Sequence, residues 1–235
     1  MKISFIVPCY NEAKDIKRHV EERIIPFLDA NKIDYELILV DDGSKDNTKE
    51  AIESIKGVKA ISYSPNKGKG GAVKEGILAS NGDYILFMDA DLSTDLKAIF
   101  EVNKYLGQYD LIIGSRHSKD SVIPKKQPFI RRFIGWCCRL LVNMKFHLHL
   151  KDTQCGFKAI RRDKALFMAE HQIIDGFAFD VEYLYIAKLN NWSLKTIGVT
   201  WTDDRDSTVR VGSSSSQFLK DMRKIKKNKQ NYIKK

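Results

Sequence analysis

The chain has 235 residues, 43% of them hydrophobic, and a formal charge of +10 at pH 7; that length and composition suit one domain with a substantial core. Residues 219–235 hold eight Lys or Arg against one Asp, so that segment carries +7 and everything before it +3. No uncharged apolar run reaches the roughly 18 residues of a bilayer span, the N-terminus reads as a strand rather than a signal-peptide core, and the cysteines at 9, 137, 138 and 155 show neither Cys-x-x-Cys nor zinc spacing, which argues for a reduced, cytoplasmic setting.

Strands and helices alternate from the start. Residues 2–8 read as a strand that runs into Cys9-Tyr10-Asn11-Glu12, with a helix over 12–30. A second apolar run, 35–40, stops at Asp41-Asp42-Gly43-Ser44; a helix over 45–56 and a strand over 58–63 follow. Gly68-Lys69-Gly70-Gly71 opens a helix over 68–80. It lacks the Lys-Ser/Thr ending of a P-loop, and Val73 stands where a dinucleotide fingerprint needs Gly or Ala, so it reads as a tight strand-to-helix turn. The run Tyr84–Met88 then ends in Asp89-Ala90-Asp91. A helix over 94–107, a strand over 109–114, helices over 129–149 and 178–190, a strand over 194–201 and a helix over 214–230 complete the reading.

This alternation predicts an α/β domain with a mostly parallel central sheet and right-handed crossovers. Parallel strands end together, so Glu12, Asp42, Asp89 and Asp91 are expected at one crevice on the carboxyl edge, where open α/β sheets bind ligands. Two carboxylates spaced by one residue are hard oxygen donors for Mg2+ or Mn2+, with open positions left for phosphate oxygens. The same stretch is similar to the nucleophile loop of haloacid-dehalogenase phosphatases, but that loop wants Thr or Val at position 93, where this chain has Ser93, and a downstream acidic metal motif that is missing here.

Taken together, Pro8-x-Tyr10-Asn11-Glu12, Val40-Asp41-Asp42-Gly43-Ser44, Asn66-x-Gly68-Lys69-Gly70 and Asp89-Ala90-Asp91 resemble the motifs of GT-A-fold glycosyltransferases of family 2. Gly114-Ser115-Arg116, Asp152-Thr153-Gln154-Cys155-Gly156-Phe157-Lys158 and Ala178-Phe179-Asp180-Val181-Glu182 are similar to the branch that makes dolichyl-phosphate glucose and its polyprenyl-phosphate relatives. The resemblance covers residues 2–212 and implies a single GT-A (Rossmann-like) domain, with 213–235 left as a Ser-rich joint and a basic helical tail. It implies a nucleotide-sugar donor, with glucose on UDP favoured, and an inverting transfer to a lipid phosphate.

On that reading Asp89 and Asp91 anchor a divalent metal on the donor diphosphate, with Asp91 the main metal and catalytic group. Pro8, Tyr10, Glu12 and Asp42 hold the nucleobase and ribose, Asp41 shapes the loop, and Lys67 or Lys69 faces a phosphate. A phosphate acceptor, anionic near neutrality, needs no strong base; a hydroxyl acceptor would, with Asp180 as the catalytic candidate ahead of Glu182. Arg116, Arg131, Lys158, Arg205 and Arg210 are the candidate counter-charges for acceptor and donor phosphates. The branch commonly has Ser-Lys-Val where this chain has Ser207-Thr208-Val209, which shifts the closing-loop contact toward Arg210. Transfer to a sugar hydroxyl in a polysaccharide or glycolipid, and a non-catalytic nucleotide-sugar-binding module, stand as alternatives.

The helix over 129–149 is dense in apolar residues and punctuated by Arg131, Arg132, Arg139 and Lys145. That composition suits either a buried helix or one lying at a lipid interface. With the basic segment 219–235 it predicts peripheral attachment to an anionic membrane surface on its cytoplasmic side. Nucleic acid is not an expected partner, because no recognised binding motif accompanies the charge. Deleting 219–235 is expected to cut membrane binding and spare donor chemistry.

Overall fold

The structure is a computed structural model that describes residues 1–125, 128–202 and 211–234. Arg205, Arg210 and Ser207-Thr208-Val209 lie outside the described residues. Among these residues one seven-stranded sheet forms from β1 (Ile3–Cys9), β2 (Tyr35–Asp41), β3 (Lys59–Ser62), β4 (Tyr84–Met88), β5 (Leu111–Ser115), β6 (Phe157–Arg161) and β7 (Leu194–Gly198), in the order β3-β2-β1-β4-β6-β5-β7. All pairings are parallel except those of β6, which runs antiparallel to both β4 and β5.

The central strands are near-continuous apolar runs because helices cover both faces of the sheet. Alternate residues supply two separate cores: Phe5, Val7, Leu37, Leu39 and Leu86 pack on one side, Ile6, Ile38, Val40, Ile85 and Phe87 on the other. The first layer is closed by α1 (Ile16–His19), which passes through a π-helical turn (Val20–Ile24) into α2 (Ile25–Ala30), and by α3 (Thr48–Glu53) and α5 (Ala98–Tyr105). The second is closed by α4 (Lys69–Leu78), α6 (Phe129–Phe146), α7 (Arg162–His171), α8 (Phe179–Leu189) and α9 (Val211–Lys227).

Chain order reverses between β1 and β4. β2 and β3 build outward on one side of β1, while β4 starts the other side. β1 pairs with β2 along its whole length but with β4 only from Ile3 to Ile6. Pro8, which has no N–H to donate, falls beyond that short ladder. The strands therefore part at their carboxyl ends, at the switch point where open sheets take ligands.

Two elements went unread in the sequence. β6 carries Lys158 as the second of five residues, the first four of them buried, and a charge inside such a run argues against a buried strand until its partner is known. α7 follows it directly. The stretch 212–216, expected as a joint, lies within the backbone of α9. Beyond it the basic segment is docked: Met222, Ile225 and Tyr232, the last in a 3-10 turn (Lys229–Tyr232), are buried in the second core.

α6 shows the opposite pattern. Val142 and Phe146 near its C-terminal end are buried, whereas Phe129, Ile130, Phe133, Trp136, Leu140 and Met144 are exposed, Phe129 at 77% and Ile130 at 72%. Their spacing of three and four residues sets most of them along one helix face. No helix among the described residues is long and apolar enough to cross a membrane.

Candidate active site

Asp89 and Asp91 sit just past the end of β4, and β6 determines what lies beside them. The β4–β6 register pairs Met88 with Phe157, which brings Gly156 next to Asp89. A Cβ on Gly156 would lie 2.1 Å from Asp89 Oδ2 and 2.6 Å from its Oδ1, so only glycine leaves the carboxylate in place. Sequence reasoning quoted Gly156 within a motif and gave it no role; the signal was its place beside Cys155 in that motif. His19 was missed as well: its Nδ1 lies 2.9 Å from the carbonyl oxygen of Ala90, between the two acids.

Lys69, the first residue of α4, forms an ion pair with Asp89. Burial works against the charge on Lys69, yet Asp89, Asp180 and Asp91 around it hold its pKa above the ordinary lysine value. Asp91 accepts the Ser93 N–H at 2.9 Å. Burial, and then repulsion from Asp89, push its carboxyl above the usual range, against Ser93 and Lys69. The floor of the crevice is thus three carboxylates, Asp89, Asp91 and Asp180, all within the field of Lys69, with Asp180 paired to Lys158 as well.

The β1 and β2 loops are stitched together at one wall. Asn11, in a left-handed conformation (φ 56°), donates its N–H to Ser44 Oγ (2.9 Å) and accepts from the N–H of Lys45 (2.8 Å), while the N–H of Glu12 donates to Thr48 Oγ1 (2.8 Å). Tyr10 stands 40% exposed at the mouth of the crevice. Asp41 accepts from the Ser44 N–H and the Ser62 hydroxyl, as a loop-shaping residue should.

Asp42 also shapes a loop. Its Oδ1 accepts from the Tyr63 hydroxyl (2.7 Å) and the Lys67 N–H (2.9 Å), and its Oδ2 from Asn66 Nδ2 (2.9 Å) and the Gly68 N–H (2.8 Å). Four bonds fill the acceptor capacity of a carboxylate. Asp42 therefore ties the 63–68 segment to β2 and fixes the turn from which Lys69 projects.

Of the expected counter-charges, Lys158 is corrected outright. It is 1% exposed, pairs with Asp180, and donates to the carbonyl of Cys155 at 2.6 Å, because a charge inside a buried strand must find its partner there. Asp180 is accordingly an ion-paired buried carboxylate; burial pushes its pKa up, against Lys158 and Lys69. Glu182 is fully buried and bonded away from the crevice. Arg116 grips Asp152 with Nε at 2.8 Å and Nη2 at 2.9 Å, and its guanidinium lies 5.5 Å from the Trp201 ring centre. Arg131 occupies the first turn of α6, beside the exposed apolar face.

The sequence profile of glycosyl transferase family 2 matches residues 4–167, from β1 into α7, and takes in the wall built by the β1 and β2 loops and two of the three floor acids, Asp89 and Asp91. The chain belongs to this family. This family 2 enzyme is 35% identical over 241 residues to the dolichyl-phosphate beta-glucosyltransferase of Dictyostelium discoideum, covering 95% of this chain and 73% of that relative. It is 32% identical over 238 residues to the Homo sapiens protein of the same name, covering 94% and 74%. Among solved structures, glucosyl-3-phosphoglycerate synthase from Mycobacterium tuberculosis, in complex with Mn2+, UDP-glucose and phosphoglyceric acid, matches with a TM-score of 0.71 at 19% identity, over 96% of this chain and 80% of that one. That likeness is one of fold: the mixed sheet is the GT-A arrangement, and the chain is a family 2 glycosyltransferase of the dolichyl-phosphate branch.

Proposed function

We propose that this glycosyltransferase moves glucose from UDP-glucose to a polyprenyl phosphate presented at an anionic membrane surface, with inversion at the anomeric carbon. The observation that carries the acceptor assignment is the Lys158–Asp180 pair. A hydroxyl acceptor needs a carboxylate free to take its proton, and the expected base is buried against an ammonium group. A phosphate monoester has its second pKa near 6, so at neutral pH it attacks without such a base. The relatives from Dictyostelium discoideum, Mus musculus and Homo sapiens, each named dolichyl-phosphate beta-glucosyltransferase, support the same sugar and acceptor.

A divalent cation fits the donor set. Asp89 and Asp91 are hard oxygen donors that repel one another, and Lys69 offsets only one charge. No group of three or more His, Cys, Asp or Glu positioned for a metal occurs among the described residues, so the remaining positions would fall to donor phosphates and water. Bound there, Mg2+ or Mn2+ would offset charge developing on the leaving diphosphate. The chain itself holds the donor: Lys69 reaches the phosphates from the start of α4, and the stitched β1 and β2 loops form the wall against which uridine rests. Gly156 lets Asp89 stand close to β6, and His19 steadies the backbone between the two acids.

The exposed face of α6 brings the crevice to headgroup depth, where a polyprenyl phosphate stays because each buried methylene contributes about 0.8 kcal/mol to membrane retention. The test is transfer by the purified protein from a panel of radiolabelled nucleotide sugars to polyprenyl phosphate in anionic vesicles, with Mn2+ and with chelator. Turnover is expected with UDP-glucose, lost in chelator and abolished in Asp91→Ala without loss of fold. Efficient transfer to a soluble sugar hydroxyl, with none to the lipid phosphate, would overturn the assignment in favour of polysaccharide or glycolipid synthesis.

A further inference from the structure

The C-terminal turn ends deep inside the molecule. Tyr232 is fully buried, edge-on to Tyr185 at 6.4 Å between ring centres. Its carbonyl accepts from Asn190 Nδ2 at 2.7 Å, and the Lys234 N–H donates to Asn190 Oδ1 at 2.7 Å. Its hydroxyl donates to Glu182 Oε1 at 2.5 Å. Glu182, in the first turn of α8, takes two further bonds, from the N–H groups of Ile173 (2.9 Å) and Ile174 (3.0 Å). A carboxyl group buried in an apolar layer is tolerated only when its oxygens are bonded, and the three donors here come from the C-terminus and from one short loop.

That loop is what the start of α4 rests on. The carbonyl of Asp175 accepts the Gly71 N–H at 3.1 Å. A Cβ on Gly68 would lie 2.6 Å from the Asp175 oxygen, and one on Gly70 2.8 Å from the Ile174 oxygen. The two backbones lie against each other, with Phe179 Cβ 2.7 Å from the same Gly70 position, so a shift of residues 174–175 is transmitted to the turn. Gln172 Nε2 donates to the Ile174 carbonyl at 2.8 Å, and Gln172 Oε1 accepts from the Tyr183 hydroxyl at 2.6 Å. The loop is clamped from two directions, and one of them is the C-terminus.

We propose that Tyr232 and Glu182 are positioning residues that fix the 173–175 backbone behind the Gly68–Gly71 turn and thereby set Lys69 against the donor diphosphate. This rests on the reading of Lys69 as a donor-phosphate ligand. The strut is a chain of contacts at bonding distance, the physical medium by which one site influences another. It makes the basic C-terminal segment part of the donor site, and so reverses the expectation that removing that segment spares donor chemistry.

The decisive variant is Tyr232→Phe in the full chain, which keeps the ring and its packing and removes only the hydroxyl. Its donor KM is expected to rise up to about tenfold, the upper end of what one hydrogen bond contributes, while acceptor KM stays within about twofold. Amide exchange at Gly71 is expected to quicken as its acceptor loosens, with exchange in β5 unchanged. Glu182→Gln should act in the same direction, and Asn231→Ala, on the exposed side of the same turn, should change nothing. Wild-type donor KM and wild-type Gly71 exchange in Tyr232→Phe would overturn the strut. So would equal losses in donor and acceptor use that simply track a lower Tm. Faster Gly71 exchange together with an unaltered donor KM in Lys69→Ala would sink the donor-phosphate reading of Lys69 and leave the mechanical link standing.

Discussion

Gly156 and Asp89 oppose each other with no room for a methyl group between them. Gly156→Ala must push the carboxylate aside or bend β6, and displacing a catalytic group by about 1 Å can reduce rate about 100-fold. A loss of that order in kcat/KM is expected at saturating Mn2+, with secondary structure unchanged by circular dichroism; wild-type kinetics would show that Asp89 has another place to go. Asp152 offers a pH test. Burial opposes its ionisation, but Arg116, bonded through side chain and backbone, pulls its pKa from 3.8 down to about 2. A depressed folded-state pKa contributes stability above pH 3.8 and loses it as pH falls toward 2, about 2 kcal/mol for this group. Denaturant midpoints measured from pH 4.5 to 2 should show that loss in the wild type, and Asp152→Asn should lack this component of the slope while starting less stable. Asp42 shows the limit of reading single residues: its charge was legible, its four internal partners were not, since they come from residues 63–68 folded back onto β2.

At the scale of elements, α6 and α9 form one exposed surface. An apolar groove between them is lined by Phe133, Cys137 and Leu141 of α6 and by Phe218 and Leu219 of α9, and Arg132, Arg223 and Lys220 stand exposed on the same two helices. On the proposed membrane-surface reading, this apolar area would enter the headgroup region while basic residues contribute roughly 1 kcal/mol each near an anionic leaflet. Phe133→Glu with Trp136→Glu should abolish binding to anionic vesicles in a flotation assay and leave Tm close to wild type, because both side chains are more than half exposed. Binding by the unaltered protein should weaken in high salt, where the Debye length falls to about 3 Å at 1 M. Undiminished flotation of the double variant would move the membrane contact elsewhere. The apolar density and the arginines of α6 were plain in the sequence; which way its face turned was open, because a buried helix and an interfacial one share that composition.

For the whole molecule, the C-terminal segment is the element whose role changed most. Met222, Ile225 and Tyr232 complete the second core, and burial of such side chains stabilises by about 1.5–3 kcal/mol each. A chain ending at residue 218 would forfeit about 5 kcal/mol or more, comparable to the whole stability of a typical domain. It should melt far below the full chain or fail to stay soluble; a Tm within a few degrees of wild type would show that the docking is superficial. The sequence by itself determined that the first four strands run parallel and that three of them end in acids, because strand–helix alternation with right-handed crossovers builds a parallel sheet, and its motifs sufficed to indicate the family. Only the tertiary structure decided that β6 inserts antiparallel beside β4, that Lys158 is buried against Asp180, and that Tyr232 reaches Glu182. Each of these depends on partners distant in the chain, and a residue's charge or glycine's lack of a side chain acquires its meaning from the atom it meets across that distance.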